Sequence, residues 1–354
     1  MGSIMAALHE DLIRSTLAQV RYPGFSRDIV SFGLVKSIQV SGSDATVVLQ
    51  ITTGDAAIPQ AIQAESEKAL RALPGVGKIT VQIETRAPAA QAVPAPPGPT
   101  PIPGVKRVIA IASGKGGVGK STVAANLALA LAKTGAGVGI CDCDIYGPSI
   151  ALMFGSRERP MATEDDQILP IETAGLKLMS MGFLLDDTSP AVLRGPMVTR
   201  TTQQFLRQVE WGSLDYLILD LPPGTGDIQL TVVQGVTLAG AILVTTPQEV
   251  ALLDVRKAAS MFGKVNVPIL GVIENMSYFL CPGDGKRYDI FGSGGGAREA
   301  ARLGVPLLGE IPIDIATREA GDRGIPIVAA DGESPVSQAF TAAATLVRAT
   351  LSSL

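Results

Sequence analysis

Hydrophobic positions along this chain change their period at residue boundaries that mark the elements. Over Met5–Val20 the apolar residues Leu8, Leu12, Ile13, Leu17 and Val20 recur at helical spacing, which predicts an amphipathic helix. Strand alternation follows at Lys36–Ser41. A Gly42-Ser43-Asp44 turn and a second alternating run, Ala45–Thr52, come next. A helix opening at Pro59, a stop at Pro74-Gly75 and a strand at Lys78–Ile83 complete the unit, a small α-β-β-α-β domain over residues 1–85. Arg86–Gly104, rich in Pro and Ala and without periodicity, reads as a semi-stiff extended linker. From residue 105 onward the pattern is different. Near-continuous apolar runs at Val108–Ala112, Val138–Cys143, Tyr216–Asp220, Ala241–Thr245 and Ile269–Ile273 alternate with helical segments. Strands apolar on both faces belong in a parallel sheet covered by helices. The expected fold is therefore α/β: a parallel-sheet domain over residues 105–354, preceded by a small α+β domain. Ligands in such sheets bind beyond the carboxyl ends of the strands.

Composition narrows the function classes. The 354 residues suffice for two cores, and a net charge of −4 with no block of Lys or Arg argues against nucleic-acid binding. Mean hydropathy is +0.32, yet no apolar run has the length of a membrane span. No secretory apolar region precedes the first helix, and Ala6 stands where a myristoylation signal needs Ser or Thr. The expected location is cytoplasmic. One histidine, His9, makes histidine-based catalysis unpromising, and three cysteines make no disulfide framework.

Gly114-Lys115-Gly116-Gly117-Val118-Gly119-Lys120-Ser121-Thr122 lies between the Val108–Ala112 strand and an Ala/Leu-rich helix at Val123–Lys133. Strand, glycine loop and helix in that order form a phosphate-binding P-loop. Glycines let backbone N–H groups turn onto phosphates, and the helix N-terminus adds positive potential. Lys120 is expected to reach the β- and γ-phosphates of a nucleoside triphosphate, and Ser121 to ligate Mg²⁺. Lys115, on the outer shoulder of the loop, is placed to reach a nucleotide in a facing subunit. Asp142 and Asp144 share one side of a strand if it stays extended. There they can hold Mg²⁺-bound water or orient the attacking water; a solvated carboxylate or cap suits Asp142 better. Within Leu214–Asp227, four apolar residues run into Asp220, a buried strand that delivers a carboxylate toward Mg²⁺, and a breaker-rich loop follows at Pro222–Asp227. Cys141 and Cys143 on one extended strand would lie roughly 7 Å apart, too far for a mutual disulfide, and read as core packing.

The motif GKGGVGKST resembles the deviant P-loop of the MinD/ParA/nitrogenase-iron-protein class, in which the extra lysine acts across a dimer. Asp144-Ile145-Tyr146-Gly147-Pro148-Ser149, Arg194-Gly195-Pro196-Met197 and Trp211-Gly212 are similar to Mrp-type iron–sulfur cluster carrier ATPases. The N-terminal unit, with Tyr22-Pro23-Gly24, Asp28-Ile29-Val30 and Gly33-Leu34-Val35, resembles that family's small domain. The resemblance implies a homodimer that hydrolyses ATP slowly and transfers clusters to apoproteins in company with cluster assembly proteins. It implies catalytic roles for Lys115, Lys120, Asp144 and Asp220. It also implies Mg²⁺ held through Ser121 and Asp220, adenine contact by Asn275, and closure over the base by Pro312 and Asp314. Family members commonly carry Cys-x-x-Cys after the Asn-Met-Ser segment; here Cys281 is followed by Asp284. Two subunits would thus offer two Cys281 thiolates to an iron–sulfur cluster, whereas Cys₄ ligation is usual. Phe291-Gly292-Ser293-Gly294-Gly295-Gly296 reads as a flexible loop near the dimer face. Two other readings share the P-loop: a MinD/ParA-like positioning ATPase, and an ATP-dependent assembly scaffold that carries no cluster.

Overall fold

The computed structural model describes residues 8–21, 23, 28–52, 57–86, 98–184 and 195–353. The chain divides into two compact units between Pro96 and Pro97.

The first unit comprises α1 (Glu10–Leu17), β1 (Val35–Ser41), β2 (Asp44–Thr52), α2 (Ala57–Arg71) and β3 (Ile79–Arg86), with sheet order β1-β2-β3. β1 and β2 form an antiparallel hairpin, and the α2 crossover returns the chain so that β3 runs parallel to β2. Gly42, at φ +63°, takes the left-handed turn between β1 and β2 that other residues resist. Alternate β2 residues Val47, Leu49 and Ile51 are buried together with Ile13, Leu17, Ile62 and Leu70 of the helices. His9 is the exposed residue that precedes α1, so the helix is shorter at both ends than its apolar spacing suggests. Residues 1–7 and Tyr22 and Gly24 of the resemblance lie outside the described residues.

The second unit is built on a nine-stranded sheet, whose order is β11-β10-β9-β4-β8-β5-β7-β6, with β12 paired to β10. Its strands are β4 (Val105–Ser113), β5 (Val138–Asp142), β6 (Ile171–Thr173), β7 (Leu176–Met179), β8 (Leu214–Asp220), β9 (Gly240–Thr245), β10 (Ile269–Leu280), β11 (Arg287–Tyr288) and β12 (Leu307–Ile313). All neighbours pair in parallel except the β6–β7 and β10–β11 hairpins. The helices are α3 (Lys120–Ala132), α4 (Ile150–Met153), α5 (Gly195–Arg207), α6 (Asp227–Gly235), α7 (Glu249–Lys264), α8 (Gly295–Leu303), α9 (Ile315–Asp322), α10 (Ile327–Ala330) and α11 (Pro335–Ser352). Two buried apolar layers, one on each face of the sheet, account for the near-continuous hydrophobicity of its central strands. Registers Ile111↔Asp220, Asp142↔Asp220 and Ser113↔Val244 bring the carboxyl ends of β4, β5, β8 and β9 level, and the candidate chemistry sits there.

Three expectations need correction. β10 does not stop at Ile273 but runs on to Leu280, past a bulge where Met276 adopts φ +54°. Phe291–Gly296 does not end as a flexible loop. Gly294, at φ +66°, caps α8, whose first two residues are Gly295 and Gly296, and a Cβ on Gly295 would lie 2.6 Å from the Pro247 carbonyl oxygen, so these two glycines serve close packing. The stretch read as linker ends against the second unit: Thr100 bridges Val236, and Ile102 is buried in the core. Residues 87–97 lie outside the described residues. No described helix is long and apolar enough to cross a membrane.

Helix α11, which carries Arg348 as its single charged side chain, lies against α3 and β12 and buries Phe340 completely. Phe340→Ala should therefore destabilise the unit by about 3–5 kcal/mol, read as a lowered urea midpoint; a shift under about 1 kcal/mol would mean the helix is not part of this core.

Candidate functional site

β4 ends at Ser113, and α3 begins at Lys120, so residues 114–119 form the loop between sheet and helix. Gly117 and Gly119 have φ of +81° and +80°, a region in which side chains are strained. The walls are tight. A Cβ on Gly119 would stand 2.1 Å from Asn275 Nδ2, and one on Gly114 would stand 2.1 Å from the Asp254 backbone. At Gly117, which is exposed, the same test meets nothing within 4 Å. Gly119 offers no side-chain cap to α3, so the first-turn N–H groups remain free to bind phosphate. From below, Asn275 Nδ2 donates to the Val118 carbonyl at 2.9 Å. This bond spans distant parts of the chain and is no local turn contact. Lys115 is half-buried on the loop shoulder, where Ser113 Oγ donates to its carbonyl at 2.9 Å.

At the foot of the loop the buried Lys120 ammonium contacts Asp220 Oδ1 and lies 3.3 Å from Ser121 Oγ. Asp220 is fully buried, and its Oδ2 has no hydrogen-bond partner in the structure. An unpaired buried carboxylate oxygen is costly unless a cation completes it, so Asp220 with the neighbouring Ser121 hydroxyl fits a divalent metal. Burial pushes the Asp220 carboxyl above its ordinary value, against the pull of Lys120. Asp142 faces it across the β5–β8 pairing. Burial and then the Asp220 charge push Asp142 up to about 7.

Asp142 is not solvated, as its reading as a loop carboxylate would have it. It caps: Oδ1 accepts from Asp144 N at 3.1 Å, and Oδ2 accepts from Ser149 N, Ile150 N and Ser180 Oγ at 3.1, 3.2 and 2.9 Å. Because β5 ends at Asp142, Asp144 leaves the strand and stands half-buried in the following loop. Cys141 and Cys143 are buried and free, with their Sγ atoms in contact at 3.9 Å. Their mutual contact and burial push the Cys143 thiol well up, which suits packing and disfavours a thiolate.

Pro312 is buried at the end of β12, and Asp314 caps α9 through Thr317 N and Thr317 Oγ1, both at 2.7 Å. Cys281 follows β10 directly, in the turn of the β10–β11 hairpin, and is part-exposed. Asp284 shapes that turn: it accepts from Lys286 N at 3.0 Å and from Tyr288 Oη at 2.9 Å, and these bonds hold its carboxyl below the usual range. Among the described residues no three His, Cys, Asp or Glu side chains gather into a metal site. Arg194 lies outside the described residues.

The structure thus brings the glycine loop, Lys120, Ser121, Asp142, Asp220 and Asn275 together, and sets Cys281 on a separate hairpin. Sequence reasoning missed Ser180 and Glu274. Glu274 is buried in β10, accepts from Ser277 Oγ at 2.6 Å, and caps α8 through Gly296 N. A lone acid inside the apolar run Ile269–Ile273 and beyond is a visible signal for such a cap. Ser180 offers no comparable sequence signal.

Residues 104–348 match the family described as NUBPL iron-transfer P-loop NTPase. Residues 10–82 match a family described as iron–sulfur cluster assembly protein. An iron–sulfur cluster carrier protein of Synechocystis sp. is 43% identical over 342 residues, covering 95% of this chain and 96% of its own. A nucleotide-binding protein of Archaeoglobus fulgidus, solved in complex with ADP, superposes with a TM-score of 0.58 at 39% identity, over 67% of this chain and 92% of its own. The cell division ATPase MinD of Pyrococcus furiosus superposes with a TM-score of 0.53 at 26% identity, over 69% of this chain and 99% of its own.

Two outcomes follow from this geometry. Gly119→Ala should weaken binding of ADP by at least about tenfold, because the added methyl must displace Asn275; unchanged affinity in a calorimetric titration would refute the close contact. For Asp142, a carboxyl raised from 3.8 to about 7 favours folding fully below the unfolded value and loses that contribution as pH rises through about 7. With divalent cations chelated, the Tm of wild type relative to Asp142→Asn should therefore fall between about pH 4 and pH 7 and level off above. A constant difference would mean that Asp142 titrates normally.

Proposed function

The chain belongs to the NUBPL iron-transfer P-loop NTPase family, and we propose that it binds ATP with Mg²⁺, hydrolyses it slowly and carries iron–sulfur clusters to apoproteins. The observation that carries the ATPase reading is the buried Lys120–Asp220 contact at the foot of a glycine loop that leads into α3 without a side-chain cap. Loop amides and the α3 N-terminus hold the β- and γ-phosphates, and Lys120 exchanges its carboxylate partner for a phosphate oxygen. Ser121 and Asp220 would hold Mg²⁺, whose chemistry is to neutralise charge on the triphosphate. Asp144 orients a water for in-line attack on the γ-phosphorus. The bond to the bridging oxygen breaks, leaving ADP and phosphate. Asn275, with one N–H on Val118, keeps its other amide valences for the adenine edge, and the Pro312–Asp314 segment closes over the base.

Lys115, half-buried on the loop shoulder, acts on the nucleotide of a second copy of the chain, and the active species is a homodimer. The same dimer pairs two Cys281 thiolates. Further ligands come from Asp284, an external thiol or a recipient protein, and such a cluster is labile and readily passed on. Partners are apo iron–sulfur proteins and cluster assembly proteins in the cytoplasm, with no role for nucleic acid or membrane. The small N-terminal unit docks partners, since it carries no cysteine of its own. A scaffold that assembles clusters without carrying one is the second reading, favoured by the single thiol on the hairpin.

Lys120→Ala should lower ATP turnover by at least about 100-fold; turnover at the wild-type rate would refute the P-loop assignment. After anaerobic reconstitution, Cys281→Ala should retain little of the iron and sulfide held by wild type. Equal contents in the two proteins would favour the scaffold.

A further inference from the structure

We propose that Asp142 is a positioning residue for hydrolysis: its buried carboxylate clasps both ends of the loop that presents Asp144. The inference rests on the reading of Asp144 as the water-orienting group and names the residue that makes that reading work.

β5 ends at Asp142 and α4 begins at Ile150. Residues 143–149 between them carry Asp144, together with an exposed Tyr146 and Gly147. One carboxylate closes this loop. Its Oδ1 takes the Asp144 N–H at the outgoing end, at 3.1 Å. Its Oδ2 takes the Ser149 and Ile150 N–H groups at the returning end, at 3.1 and 3.2 Å. Ser180 Oγ, just beyond β7, adds a fourth bond at 2.9 Å and receives the Gly182 N–H at 3.1 Å. Within the loop, Asp144 Oδ1 accepts from Gly147 N at 3.2 Å.

The sheet does not need this clasp. β5 is already paired along its length to β7 on one side and β8 on the other, and Cys143 N donates to the Asp220 carbonyl at 2.9 Å. What the clasp restricts is the loop after Cys143. A seven-residue loop free at its returning end samples many conformations, and a carboxylate misplaced by about 1 Å costs on the order of 100-fold in rate. Four donors converging on one group require a carboxylate. An amide oxygen can replace Oδ2, but the adjoining NH₂ then faces the Asp144 N–H as donor against donor. None of the four bonds goes to the glycine loop, so their loss leaves the phosphate-binding backbone in place.

The test compares wild type, Asp142→Asn and Asp142→Ala, each also combined with Asp144→Asn. ADP affinity should stay within about threefold in all, while kcat for ATP falls in the order wild type, Asn, Ala, the last by at least about tenfold. In the Asp144→Asn background Asp142→Ala should cost less than about twofold further, because a clasp that acts through Asp144 has nothing left to position. Equal fold-losses in the two backgrounds, or a loss of ADP affinity with kcat unchanged, would overturn the proposal. Amide hydrogen exchange decides the matter without turnover. Protection of the Asp144 and Gly147 N–H groups should fall at least about tenfold in Asp142→Ala while β5 and β8 stay protected, and unchanged protection would overturn it. Absence of ATP turnover in wild type would sink the hydrolytic reading and leave the exchange result to judge the clasp.

Discussion

A lysine ammonium and an aspartate carboxylate, both removed from water, meet where the sheet ends. Burying two charges costs several kcal/mol per ion before their attraction is counted, and the Lys120–Asp220 pair leaves one carboxylate oxygen unpartnered. Such a pair is a poor choice for stability alone. It becomes sensible when each member has a better partner to take: phosphate for the ammonium, a divalent cation for the carboxylate. The surrounding architecture follows from the need to hold those charges at one point. Parallel strands align β4 and β8 so that loop and carboxylate are level, and α3 directs its open N-terminus to the same place. Glycines allow the loop to be pressed against Asn275 and Asp254 without side chains in between.

Two carboxylates at the same sheet edge take different parts through their environments. Asp220 faces an ammonium and keeps an oxygen free, so it is available to a ligand. Asp142, in register with it, has both oxygens engaged by backbone and hydroxyl donors and is used up in shaping the chain. Burial raises both, and their mutual repulsion raises Asp142 further. The two acids at this edge thus differ: one keeps an oxygen free, the other anchors the chain.

Much of the second unit was legible because buried parallel strands have no polar face to confuse the reading. Val108–Ala112 and Tyr216–Asp220 lie within the observed β4 and β8, and Lys120 opens the helix that the glycine motif demanded. What escaped was set by tertiary pairing. β12, Leu-Leu-Gly-Glu-Ile-Pro-Ile, mixes apolar residues with breakers and becomes a strand because β10 offers it an edge. β10 itself extends past its apolar core only because the bulge at Met276 lets Phe279 find both β11 and β12.

The hairpin that carries Cys281 follows from that same β10. The strand is anchored beneath the glycine loop by Asn275 and to α8 by Glu274, then emerges as an exposed turn with one thiol. No three metal-ligating side chains gather among the described residues, so a cluster held by the proposed Cys281 ligand would draw on Asp284, an external thiol, a second copy or a recipient. Incomplete ligation within one chain suits a carrier better than a store, because a cluster held by few thiolates is lost to a site that offers four.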